Sequence, residues 1–482
     1  MARHRTQGRV RRQIRDVFTG NAGGIAGLLS AQQVERAVQH HGLQYRDCLF
    51  TPLITLWTFL AQVLNPDGSC RQAVAKLLAF LAASKCGGEF QPDTGPYCKA
   101  RQRLPETLVA QLARDAGRQL HRRHPAAGGA SAAAGKLLGG RTVKVVDGTT
   151  VSMPDTPANQ HDYPQPAPQK PGLGFPMARL VAILSLNCAA VLALAIGPYA
   201  GKQSGELALF RSLWEDTAAA ALEAGDVLLG DRYYASYWTI ASLLRRGVDS
   251  LFRQHQRRKS DFRAGRRLGK HDHLIVLRRP SAPPDWMDAW TFRWMPETLT
   301  VREVRIVVTQ RGFRVRTLVL VTTLLDAQLY SKQELAEVFR CRWHVELDLR
   351  SIKQTMNMSV LRCKTPAMVR KEIWMHLLAY NLVRTVMAEA AKRAGIEPRE
   401  VSFAGSMQTI NAWSPFLMTA SADEAQVLMD VLLKAIARHR VGDRPDRYEP
   451  RAVKRRAKPI ALLTKPRALA RKRLEKRATT KG

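Results

Sequence analysis

The sequence predicts an α/β protein. A mixed core of sheet and helices carries a β-rich insertion, with an all-helical domain before it and C-terminal helices and a basic tail after it. Three observations predict this. Apolar residues recur at helical spacing through most of 31–122. Short apolar strands alternate with helical patterns over 142–253. Alternating strand patterns with little helical period fill 254–328. A chain of 482 residues has room for two or three domains and a sizeable core.

The N-terminal helices are expected at 31–41, 51–64, 70–82 and 106–122, broken by Asn65-Pro66-Asp67-Gly68 and Gln91-Pro92-Asp93. Thr51 before Pro52 fits an N-cap and a first helical position. Arg46, Arg71, Lys99, Arg101 and Arg103 are interleaved among these helices, which reads either as a DNA-contacting bundle or as a basic scaffold. The Ala- and Gly-rich tract 124–140 reads as a linker.

The core opens with the short apolar strand 142–147, ending in Asp147, and a loop rich in Pro, Gln and Gly runs on to 176. Residues 180–197 are uncharged and long enough to span a bilayer. Their Ser185-Leu186-Asn187-Cys188 middle reads as a turn, so two buried strands in a hairpin are expected instead. A helix at 206–224, a second apolar strand at 226–231 ending in Asp231, a helix at 237–246 and a strand at 248–253 follow. Three strands, a helix, a strand, a helix and a strand form the order of an RNase H-like fold. In that fold the first and fourth strands are parallel neighbours, so Asp147 and Asp231, each at a strand's carboxyl end, meet at one edge of the sheet. Asp155 and Asp162 lie in the proline-rich loop and are poor candidates for a shared site. The expected division of the chain is 1–135, 136–253, 254–328, 329–440 and 441–482.

After the insertion, 331–356 reads as one helix opened by a capping box of Ser331 and Glu334. At about 100° per residue, Leu335, Val338, Val345, Leu349, Ile352 and Met356 make one apolar stripe. Phe339, Arg342, Glu346 and Lys353 make a narrow second stripe beside it. Cations flanking a carboxylate next to the core stripe point to a site for anions and metal ions, and an ordinary i,i+4 ion-pair pattern is the plainer alternative. Asp348, about 160° round the helix from Glu346, is expected on the solvated side. A long amphipathic helix is expected at 366–395 and further helices to 439.

The spacing of Phe339, Arg342, Glu346 and Lys353 resembles the Y-x2-R-x3-E-x6-K signature of DDE transposases from bacterial insertion sequences, in the branch named for insertion sequence four. Phe339 is the one departure, and it keeps the ring while losing a hydroxyl. The stretches TPLITLWTFLAQVL, VDGTTVSMPDTP, LLGDRYY and PIALLTKPR look like blocks of the same family, so the resemblance runs over about 49–467. It implies a cut-and-paste transposase that binds inverted-repeat ends, cleaves them and joins the free 3′-OH to target DNA. Asp147, Asp231 and Glu346 would be its catalytic, metal-binding triad. Arg342, Lys353 and Arg232 would hold phosphates, Arg232 being equally readable as a structural ion pair. Two Mg²⁺ ions, replaceable by Mn²⁺, are the implied cofactor, because two hard cations serve both ends of an in-line phosphoryl displacement. A synaptic homodimer is implied as well. A non-catalytic DNA binder descended from a transposase and a metal-dependent nuclease are the alternatives.

Composition agrees with double-stranded DNA as partner. Against 40 Asp and Glu stand 75 Lys and Arg, a net charge of +35, which calls for an extended polyanion. Residues 451–482 alone carry 13 Lys or Arg and one Glu, a run that binds phosphate without regard to sequence. No basic amphipathic anchor and no signal-like apolar run after the charged N-terminus speak for a membrane, so a cytoplasmic, nucleoid-associated protein is expected. The seven cysteines contain no C-x-x-C pair and read as reduced thiols. His271-Asp272-His273 lacks a third ligand and is set aside as a metal motif.

Overall fold

A computed structural model describes residues 29–45, 48–86, 91–124, 137–215, 221–307, 317–442 and 461–479. The charged N-terminus, Arg46, most of the expected linker and the first part of the basic tail lie outside the described residues.

Five helices come first: α1 (Ala31–His40), α2 (Pro52–Leu64), α3 (Cys70–Ala83), α4 (Gly95–Arg103) and α5 (Glu106–Arg123). The N-caps Ser30, Thr51 and Ser69 each accept from the amide three residues on, as local sequence demands. α4 was not expected, because its polar GPYCKARQR has hardly any apolar face.

The core strands are β1 (Val143–Ser152), β2 (Met177–Ser185), β3 (Val191–Pro198), β4 (Val227–Gly230) and β5 (Asp249–Arg253), with α6 (Glu206–Glu215) and α7 (Tyr237–Leu244) between the later ones. The apolar 180–197 stretch is the β2–β3 hairpin, and no described helix is long and apolar enough to cross a membrane. The insertion supplies β6 (Arg266–Gly269), β7 (Asp272–Arg278), β8 (Thr298–Val307) and β9 (Thr317–Thr322). All nine strands form one sheet in the order 3-2-1-4-5-9-8-7-6. Its first five strands, antiparallel at β1–β2 and β2–β3 and parallel at β1–β4 and β4–β5, have the RNase H-like arrangement. The insertion joins that sheet through β9, which pairs antiparallel with β5.

Charges at the amino ends of the parallel strands set their register. Lys144 and Asp226, both buried, pair at 2.6 Å and tie the start of β1 to that of β4. Arg141 bonds Asp249 at 2.7 Å and the carbonyls of Gly225 and Asp226, which ties β5 to the same end. A buried pair is worth keeping where it fixes one alignment among several.

Short helical turns at Pro157–Asp162 and Ala289–Arg293 aside, the helices that follow the sheet are α8 (Lys332–Cys341), α9 (Trp343–Arg350), α10 (Pro366–Arg393), α11 (Phe403–Thr419), α12 (Ala422–Arg438) and α13 (Arg467–Thr479), the last in the basic tail. The expected single helix over 331–356 is therefore corrected: α8 and α9 meet at Arg342, and residues Ser351–Thr355 form a π-helical turn. The capping box is half formed. Ser331 accepts from the Glu334 amide, but the Glu334 carboxylate accepts from the backbone of Leu138 instead of returning to its own cap.

α10 is not amphipathic as expected. Almost its whole length is buried, because α5, α2, α12 and β3 surround it. The closest approach is at Gly117 of α5, where a Cβ would lie 2.1 Å from the Val191 carbonyl oxygen and 2.7 Å from Asn381 Nδ2. Asn381 of α10 knits three elements there. It accepts from the Val191 amide at 2.9 Å and donates to the carbonyls of Ala113 and Val191 at 2.9 and 3.0 Å. The N-terminal helices thus share a core with the sheet.

Candidate active site

Asp147 stands in the middle of β1, not at its end as expected, since β1 runs on to Ser152 by pairing with β2 along its full length. The partnership with β4 is shorter. It spans Val143↔Val227 to Val145↔Leu229, and two residues further along each strand stand Asp147 and Asp231. The two carboxylates therefore leave the sheet level with each other, at the point where β1 loses its parallel neighbour.

α9 packs against β1 and brings Glu346 to the same place. Arg342 links the two: its Nη1 lies 3.7 Å from Asp147 Oδ2 and its Nη2 donates to Glu346 Oε1 at 3.1 Å. Phe339 is buried beneath, with the Arg342 guanidinium 5.9 Å over its ring, so the aromatic ring does the packing that the position requires. Lys353, in the π-turn, borders Thr149 and Leu180 near the far half of β1, and burial holds its ammonium below the usual lysine range. Arg232 follows Asp231 and donates to Gln256 Oε1 at 2.7 Å beside the Tyr233 ring; no carboxylate pairs with it among the described residues.

Electrostatics single out Asp147. Burial, aided by the carboxylates of Glu346 and Glu206, pushes its pKa up to about 6 against the pull of the Gly148 amide and Arg342. The Gly148 amide donates to Oδ1 at 2.8 Å. One guanidinium shared with Glu346 leaves Asp147 under-compensated, which is the electrostatic setting a divalent cation suits.

Asp348 corrects an expectation. It is buried at 1% exposure instead of solvated, and accepts from Arg384 at 2.7 Å and Arg399 at 3.0 Å. It takes no part in the cluster around Asp147. His271-Asp272-His273 is likewise absorbed by packing: Asp272 takes both arms of Arg302 at 2.8 and 2.6 Å, and His273 sits between the Ala264 carbonyl and Glu303.

Glu206, the first residue of α6, is a carboxylate whose charge Asp147 feels and which the sequence does not single out. An acidic residue opening a helix is ordinarily explained by the helix dipole, and nothing in its spacing to Asp147 marks it.

Carboxylates gathered at the carboxyl side of an RNase H-like sheet are the arrangement of enzymes that act on polynucleotide phosphodiesters. The family described as "Transposase DDE domain" matches residues 138–382. The chain belongs to that family. It is 28% identical over 412 residues to the transposase InsG for insertion sequence element IS4 of Escherichia coli strain K12, covering 83% of this chain and 84% of the relative. A shorter match, 32% over 69 residues, joins 14% of the chain to 19% of the putative transposase InsL for insertion sequence element IS186A of the same strain. Among solved structures, a piggyBac transposase synaptic complex with hairpin DNA aligns with 84% of this chain and 81% of its own at 10% identity, with a TM-score of 0.40, too distant to bear on the site.

Transposases of this family cleave and transfer DNA strands with divalent metal ions. The donors here fit such ions in chemistry, all being carboxylate oxygens. As the side chains stand, no three His, Cys, Asp or Glu residues among the described residues are close enough to hold one ion, and Arg342 is paired to both Asp147 and Glu346. A cation shared by these carboxylates requires Arg342 to turn away.

Proposed function

We propose that this transposase binds the inverted-repeat ends of an insertion sequence, cleaves them by metal-assisted hydrolysis and joins the freed 3′-OH to target DNA in a cut-and-paste reaction. Asp147, Asp231 and Glu346 are its catalytic and metal-binding residues. The observation that supports this best is the convergence of three separate segments: the β1–β4 register sets Asp147 level with Asp231, and Arg342 pairs with both Asp147 and Glu346.

Two Mg²⁺ ions, or Mn²⁺, when bound to these carboxylates supply activation of the attacking oxygen and neutralisation of the leaving one. The chain does the rest. Asp147, whose pKa burial raises to about 6, is the carboxylate that gains most from a cation placed beside it. Arg342 is a guanidinium held beside the carboxylates, ready to exchange them for the planar oxygens of a phosphodiester. Lys353 and Arg232 flank the site as further phosphate contacts. Double-stranded DNA of the element ends and of the target is the partner, and two copies of the chain hold two ends in a synaptic homodimer. Residues 1–135 contact the ends, 136–253 and 329–440 form the catalytic core with 254–328 inserted, and 441–482 add nonspecific affinity in the nucleoid of the bacterial cytoplasm.

The test pairs Glu346→Gln with a metal series on an end-bearing duplex. The parent should cleave in Mg²⁺ or Mn²⁺ and not in Ca²⁺, whose larger and looser shell fits binding better than in-line geometry. Glu346→Gln should lose cleavage while still retarding the duplex in a gel. Equal cleavage by the parent in EDTA refutes the mechanism.

A further inference from the structure

The side chain of Glu206 crosses from the start of α6 to the backbone immediately after Asp147. A Cβ built on Gly148 would lie 2.6 Å from Glu206 Cδ and 2.8 Å from its Oε1. Gly148 lies in a regular β1 pairing with Val181, so what glycine provides here is room for that carboxyl group. Among the described residues, Glu206 has neither a hydrogen-bond nor an ion-pair partner. The opposing charge it feels, Arg179, donates through Nη1 to the Ser204 carbonyl at 2.9 Å and lies over the Tyr199 ring, and its buried Nε makes no bond to Glu206 or to any other group among the described residues.

Its other charged neighbours are acidic. Asp147 feels it, and Glu206 in turn feels Asp231. Burial, with Glu206, Asp147 and Asp231 adding to it, holds the Tyr234 hydroxyl far above the usual phenol range, and that buried hydroxyl has no hydrogen-bond partner among the described residues. A carboxylate serving only the α6 dipole would need no glycine opposite it and no proximity to two aspartates.

We propose that Glu206 is a fourth carboxylate of the divalent-cation site, acting with Asp147 and Asp231. The proposal rests on the reading that those two aspartates hold the cation.

Mn²⁺ binding to the full-length protein, followed through the paramagnetic resonance of the free ion, tests it apart from turnover. Glu206→Gln should weaken binding by about 10-fold or more, leave the metal-free melting temperature unchanged, and move the Mn²⁺ midpoint of end cleavage up by a similar factor. Gly148→Ala should do the same from the other side of the contact, because the new methyl displaces the carboxyl group. In the double variant Gly148→Ala, Glu206→Ala, the methyl has room, so folding should be normal while Mn²⁺ binding stays weak. Asp147→Asn is the control. If it binds Mn²⁺ as the parent does, or if neither binds, the aspartate reading falls and this assignment with it. If Asp147→Asn loses Mn²⁺ while Glu206→Gln keeps the parent's affinity and midpoint, the assignment of Glu206 alone is overturned.

Discussion

Asp348 Oδ1 accepts from Arg384 Nη2 at 2.7 Å, joining α9 to the buried α10, while Arg399 closes on the other oxygen at 3.0 Å. Two residues earlier on the same helix, Glu346 pairs with Arg342, which also reaches Asp147. Adjacent carboxylates of one helix therefore have opposite duties, and substitutions at the two positions should separate stability from chemistry.

Asp348→Asn removes the one anion between two guanidiniums, and Arg384 is itself buried. Leaving a buried charge uncompensated costs about 3–5 kcal/mol, so the variant should melt markedly lower and lose cleavage only in proportion to the folded fraction. Glu346→Gln should melt like the parent. Thermal denaturation of both variants, followed by circular dichroism, decides the matter; an unchanged melting temperature for Asp348→Asn contradicts the buried pairing.

Gly117→Ala drives a methyl into the Val191 carbonyl and the Asn381 amide, both backed by the β2–β3 hairpin and α10. Overpacking of this kind costs about 1–3 kcal/mol or more. The contact between the N-terminal helices and the sheet should loosen first, so the variant should yield to limited proteolysis at a lower temperature than the parent. Ala at 117 with undiminished protease resistance contradicts the contact.

His376 is buried in α10 with Nδ1 unpartnered, and burial holds its pKa down at about 3. Its native form is neutral, while the unfolded chain takes up a proton near pH 6.5. Stability from this ring is thus fully present above that pH and is lost as pH falls toward 3, by up to about 1.4 kcal/mol per unit. His376→Leu should flatten the acid limb of a urea-midpoint profile. The same slope in parent and variant would assign the acid sensitivity elsewhere.

Deleting 451–482 removes 13 Lys or Arg. Fewer counterions are then released on binding, so nonspecific affinity should fall and its dependence on salt flatten, while preference for the element ends survives. Filter binding over a salt series measures both. Lost preference with an unchanged salt slope would show that the tail reads bases.

Much of the fold was legible because it is local. Ser and Thr caps, apolar periods and the Ser185–Cys188 turn act over a few residues, and they located most of the helices and the β2–β3 hairpin. The spacing of Phe339, Arg342, Glu346 and Lys353 is also local, and it points to the family that residues 138–382 match. The sequence by itself thus determined most of the elements and their order, and its family resemblance nominated the candidate triad. Only the tertiary structure decided which strand ends lie level, because that register depends on Lys144 meeting Asp226 and Arg141 meeting Asp249, more than 80 residues apart. It alone buried Asp348, since Arg384 and Arg399 come from beyond the helix whose periodicity was read. It alone brought Glu206 over Gly148, because a side chain's neighbours across a sheet are set by packing, and no period in the sequence encodes them.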